Sequence, residues 1–163
     1  MADQDCPQPG PGPQHAWIQS NVGVWDVECS FFMDPSQPPM KVSATDTVTA
    51  LGPYFVQGQF AAEFFGSPFR GVATLGFDPA LQKFVSTWID TMSPHLYHFT
   101  GSLDASGTRL ELSGRAPIPG GQQLCDWHST EEHRADGTRS FEMSFVPPGG
   151  KPVRMLSYVY RRR

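Results

Sequence analysis

A rhythm of ten strand-length segments, broken by short connectors rich in Gly, Pro and Asp, constrains this chain more than any other feature. Strand-like pieces run roughly over 24–34, 40–51, 54–65, 69–77, 83–92, 96–104, 108–116, 122–134, 139–146 and 153–161. The connectors, among them "DPSQPP", "LGP", "GSP", "DASG", "ADG" and "PPGGK", are too short for parallel crossovers, so neighbouring strands pair antiparallel. An open meander this long exposes two edges and tends to curl, and closing it removes both. The chain is therefore expected to be all-β: a single antiparallel up-and-down β-barrel of about 8–10 strands with a short N-terminal helix. A two-sheet sandwich is the alternative.

The helix is expected in "PQHAWIQSNVG" (13–23), where Pro13 suits a first turn and Gly23 a stop. Residues 1–13, rich in Pro, Gly and Gln, read as a disordered leader, and 14–163 as one domain. No apolar run approaches the roughly 20 residues of a spanning helix, and the start lacks the basic and apolar regions of a secretory signal. Three cysteines, Cys6, Cys29 and Cys125, stand at unrelated spacings, which points to reduced thiols in a cytoplasmic setting. A net charge of −4 disfavours a nucleic-acid partner, and the terminal "RRR" reads as a solvated tail. No membrane partner is expected.

Strand alternation separates inside from outside. In the second strand Lys41, Ser43, Thr45, Thr47 and Thr49 must face water, which leaves Asp46 on the apolar face with Val42, Ala44 and Val48. A carboxylate there needs a partner or a raised pKa. Phe69, Gly71, Ala73, Leu75 and Phe77 form an inward set, as do Phe141, Met143 and Phe145. The fifth and eighth strands are ambiguous. Gln57, Gln59 and Glu63 interrupt an apolar strand and are candidates to line a cavity.

Titratable groups crowd into "TWIDTMSPHLYHF" (87–99). His95 and His98 are three apart, and strand geometry sends them to opposite faces, so no shared metal is expected. Asp90 and His95 flank the corner and could sit opposite one another, a carboxylate orienting an imidazole for acid–base work near neutral pH. The plainer alternative has Asp90 capping its own turn. "CDWHSTEEH" (125–133) reads mainly as a solvated strand face, and Cys125 has no neighbouring base to make it a nucleophile. His15 reads as a satisfied helix-face histidine.

The words "HAWIQSNVGVWDVE", "TLGFDPALQKFVSTWIDTMSPHLY" and "GSLDASGTRLEL" resemble a bacterial family catalogued only as a domain of unknown function, the 1579 group, over roughly residues 15–162. "GVWDVE" also resembles the G-x-W element of lipocalin- and fatty-acid-binding-like barrels, where the Trp plugs the barrel base after a short helix. The resemblance implies the fold and no particular activity.

These readings lead to a barrel that binds a small, largely apolar ligand in its interior. Trp88, Tyr97, His98, Phe99, Gln57, Trp127, Phe141 and Met143 are the expected lining, with Asp46, Asp90 and His95 giving polar direction. The alternative is an enzyme on the same pocket, an isomerase, cyclase or lyase using His95, Asp90 or Asp46 as acid and base, with no tightly bound cofactor and no metal. A third reading is a structural or dimerisation module, and a homodimer is compatible with either of the others.

Overall fold

The computed structural model describes residues 10–163, so most of the expected leader lies outside the described residues. Helix α1 (Pro13–Gln19) precedes ten strands: β1 (Gly23–Phe31), β2 (Met40–Leu51), β3 (Phe55–Phe64), β4 (Ser67–Asp78), β5 (Lys83–Asp90), β6 (Ser93–Leu103), β7 (Arg109–Pro117), β8 (Leu124–His133), β9 (Arg139–Val146) and β10 (Val153–Arg162). Each strand pairs antiparallel with its sequence neighbours, and β10 pairs with β1, closing the barrel. The sandwich is thereby excluded. Among the described residues no helix is long and apolar enough to cross a membrane.

Closure fixes which side chains look inward. Trp25 stands opposite Asp46, Asp46 opposite Phe60, and Phe60 opposite Gly71. The inward row continues through Asp90 on β5, and β5 turns in Phe84, Ser86 and Trp88 on the same face. On β8 the inward set is Cys125, Trp127, Ser129, Glu131 and His133; Cys125 stands opposite Ala116 of β7, and the other four face the inward residues of β9 from Phe145 to Arg139.

The helix closes one end. Pro13 occupies its first turn, and the Gly12 N–H donates to His15 Nδ1 at 2.9 Å, satisfying a donor that a helix start leaves open. Ile18 is completely buried. Trp17 stacks on His133 with ring centroids 4.1 Å apart, and Arg162 donates to the carbonyls of Val22 and Ser20 at 2.7 and 3.0 Å. Trp25 lies on this floor, its indole N–H donating to the Asn21 carbonyl at 2.9 Å. The other end of the barrel carries the hairpin corners around residues 32–39, 65–66, 91–92, 118–123 and 147–152.

Candidate functional site

Ten strands make a wider barrel than the eight whose interior side chains alone can fill. The interior holds a cavity of about 690 Å³, open at the hairpin end and walled mainly by aromatic and aliphatic side chains. Trp88, Tyr97, Phe99, Trp127, Phe141 and Met143 all line it, together with Phe60, Phe69 and Tyr158. A second hollow of about 640 Å³ lies on the outer wall against β1, β2 and β3. It is the more open of the two, and its charges pair with one another, Arg163 with Asp26 and Arg161 with Glu28. Of these two hollows, the lumen is the sheltered and apolar one.

Polar groups occur at two levels of the lumen. Near the mouth, Asp90 Oδ2 accepts the Trp88 indole N–H at 2.8 Å while Oδ1 accepts the Met92 backbone N–H at 2.8 Å. Asp90 thus faces the cavity and also caps its own corner. Trp88 can lie across β4 because Gly71 has no Cβ to obstruct its ring. Ser93 Oγ and Tyr97 Oη are 3.1 Å apart.

His95 does not join Asp90. Continuing the Trp88–Tyr97 register would place the two opposite each other, but a bulge between Trp88 and Asp90 sets Ser93 there instead. His95 comes two residues after Ser93 on β6, half-buried and not part of the cavity lining, with its ring edge-on to Tyr97 at 6.3 Å. His98 faces outward opposite Thr87 and is exposed. Gln57 also faces outward, between the inward Val56 and Gly58. For these two, strand parity corrects the expected lining.

The floor is different, because its polar groups are not all used. Arg139, only 6% exposed, has its guanidinium packed against the rings of Trp25 and Tyr160, 4.2 and 4.4 Å from their centroids. Its Nη1 donates to Glu131 Oε1 at 2.8 Å, and His133 Nε2 lies 3.4 Å from the same oxygen. Burial works against ionising Glu131, but the charges and hydrogen bonds of Arg139 and His133 outweigh it and hold the carboxyl below its ordinary range. Asp46 faces the lumen over Gly58, where an added Cβ would sit 3.1 Å from Oδ1. Burial pushes the Asp46 carboxyl up to about 6, with Arg139 opposing the shift and Glu131 reinforcing it.

Four buried polar atoms on lumen-lining residues here have no hydrogen-bond partner, Arg139 Nε and Nη2, Asp46 Oδ1 and Asn21 Oδ1, and on the helix Trp17 Nε1 and His15 Nε2 also lack one. Unpaired buried groups of this kind are costly and uncommon. The mouth satisfies its polar groups internally, whereas the floor keeps both donors and acceptors in reserve.

Of the floor residues, Asp46 is legible from strand alternation, but Arg139, Glu131 and His133 are not picked out by any motif. Parity could have found them. Extending the Phe145, Met143, Phe141 row by one step reaches Arg139, and extending Cys125, Trp127 by two and three steps reaches Glu131 and His133. Cys125 lies on the same inward row but is buried, and desolvation raises its thiol pKa, the opposite of what a nucleophile needs. Cys29 behaves alike, its thiol pushed up to about 12 by burial, with Glu28 adding to the shift.

These features define a closed antiparallel β-barrel protein with an internal cavity. The chain belongs to the family described as "Protein of unknown function (DUF1579)", whose match spans residues 10–162. Among solved structures it is similar to Rv2717c from M. tuberculosis, at 16% identity and a TM-score of 0.70, covering 94% of this chain and 99% of that one. It is also similar to a redesigned β-barrel at 10% identity and a TM-score of 0.46, again covering 94% of this chain and 99% of that one. At these identities the first likeness shows the fold alone. No curated protein matches.

Proposed function

We propose that this protein binds a small, elongated, largely apolar molecule inside the barrel, with the ligand's apolar body between the aromatic walls and one polar end on the floor. The supporting observation is the lumen itself. At about 690 Å³ it falls in the size range of small-molecule sites, roughly 300–1,000 Å³, and has their usual make-up of apolar walls with a few convergent polar groups. The mouth suits entry of such a molecule: Met33, Phe65 and Met92 border it and are 77%, 82% and 72% exposed.

Two measurements test this. Mass spectrometry of organic extracts from natively purified protein should find a co-purifying small molecule. The uncharged dye Nile red should also bind with a rise in fluorescence, and Ala73→Phe, which places a ring in the lumen, should abolish that rise without lowering Tm by more than a few degrees. A folded Ala73→Phe variant that still binds the dye as tightly as the parent would place binding outside the barrel and sink the proposal.

A second reading has one specific observation in its favour. Asp46, held near half-ionisation at about pH 6 inside an apolar cavity, has the properties of a general acid or base. In that reading Asp46→Asn abolishes turnover of the bound molecule while retaining its binding. With pure binding there is no turnover to lose.

A further inference from the structure

The unused hydrogen-bonding atoms of the floor say more about the polar end of the ligand, given the proposal that a ligand occupies the lumen. A guanidinium offers its donors along edges, and the edge formed by Nε and Nη2 matches the two oxygens of a planar carboxylate. In Arg139 the remaining nitrogen, Nη1, is committed to Glu131. The Nε/Nη2 edge is unpartnered, while the rings of Trp25 and Tyr160, nearly perpendicular to one another, pack against the guanidinium. What is left is a two-pronged donor.

Charge narrows the choice further. Glu131 already balances Arg139, so an added anion would raise the negative charge of an apolar enclosure unless a proton came with it. Asp46 lies on the lumen surface and interacts electrostatically with Arg139. Its strand neighbours in register, Trp25 on β1 and Phe60 on β3, carry no charge. The titratable and charged groups that bear on it are Arg139, Glu131 and Tyr160, from β9, β8 and β10.

We propose that the polar end of the ligand is a carboxylic acid, whose two oxygens take the Nε/Nη2 edge of Arg139 while one of them shares a proton with Asp46. The proton balance is explicit. A ligand entering as carboxylate meets Asp46 as the free acid, or one proton from solvent enters with it. No covalent bond forms or breaks. The proton ends between two carboxyl oxygens, and the floor with its ligand carries the single negative charge that it has when empty with Asp46 ionised. The Arg139 edge is sealed from solvent, so the head reaches it by displacing a side chain above it. A phosphate or sulfonate head has more oxygens than the free edge can satisfy.

Displacement of Nile red by decanoic acid, decanamide and decanol tests this, since the three share a tail and differ in the head. Decanoate should compete at least about tenfold better than decanol at about pH 6, and its affinity should fall by up to about tenfold per pH unit above that, as each binding event must take up a proton. Calorimetry in buffers of different ionisation heat should count about one proton taken up per decanoate at about pH 8. Asp46→Asn should abolish both the pH dependence and the proton uptake. Arg139→Lys, which keeps the charge and loses the fork, should remove the preference of decanoate over decanol, read as the ratio of the two compounds' competition within that variant.

Failure of Nile red to enter the barrel overturns the binding proposal itself. Nile red binding with equal competition by all three compounds, or with decanamide preferred, overturns the carboxylic acid and leaves lumen binding standing. Decanoate binding without proton uptake overturns the shared proton.

Discussion

Arg139 reaches from β9 to Glu131 on β8, with 2.8 Å between Nη1 and Oε1 and both side chains withdrawn from solvent. In such a place the pair is not a free gain, because desolvating two charges offsets much of their attraction. Removing one partner is another matter. Glu131→Gln should cost about 3–5 kcal/mol, because it strands the Arg139 charge among aromatic rings. The double variant Glu131→Gln/Arg139→Met should recover most of that loss. Urea denaturation of the two variants and the parent checks it, and additive losses would show that the two residues act independently.

Asp46 affects stability with the opposite sign to Glu131. Its folded-state pKa of about 6 lies above the ordinary 3.8, so the folded form holds its proton where the unfolded chain has lost it. The stability this contributes is fully present below about pH 4 and is lost as pH rises through about 6, a loss of up to roughly 3 kcal/mol. Glu131, with a lowered pKa, contributes stability above its unfolded value that is lost on acidification. Asp46→Asn should therefore stabilise the protein above about pH 6 and leave a profile that only rises from acid to neutral. Thermal melts across that range measure it, and a variant profile parallel to the parent's would show that Asp46 does not titrate in this window.

The helix is expected to act as a plug set on the barrel floor. Ile18 is fully buried, Trp17 stacks on His133 and His15 is buried edge-on to Phe77, so the packing of the helix depends on three side chains from a seven-residue segment. A helix this short has little stability of its own. Ile18→Ala should cost about 2–4 kcal/mol by leaving a hole in the buried core. Hydrogen exchange should show residues 13–19 losing protection before the strands do. Simultaneous loss across the barrel would mean that the helix is integral to the fold.

Most of the architecture is legible because strand periodicity and turn residues are local properties. The inward row of β2, with Asp46 in it, follows from alternation with five outward polar residues. The helix and the ten strands follow from Pro, Gly and Asp punctuation, with ends differing by a few residues, as at β6, which starts at Ser93. The site is less legible because it depends on register. A single bulge at Trp88/Asp90 separates Asp90 from His95, and no residue type in that stretch announces it. The Arg139–Glu131 pair crosses a hairpin in which neither residue belongs to a recognisable motif. Only knowing that Trp127 and Phe141 face inward brings the two together.

The tightest corner of the mouth carries a residue poorly suited to its backbone. Phe65 and Gly66 link β3 to β4 with φ of 52° and 78°, the left-handed pair that a two-residue hairpin demands and that Asn-Gly satisfies best. A Cβ-bearing residue pays roughly 1–2 kcal/mol to adopt this conformation, and Asn pays less than most because its side chain can bond locally. Phe65 recovers little of this cost by burial, being 82% exposed. Phe65→Asn should accordingly stabilise the protein by about 1 kcal/mol, raising Tm by a few degrees. Gly66→Ala, which adds a Cβ where φ is positive, should destabilise it by about 1 kcal/mol or more. Chemical denaturation of the two variants separates backbone strain from packing. If Phe65→Asn lowers stability instead, the ring contributes contacts at the mouth that outweigh the strain of its backbone.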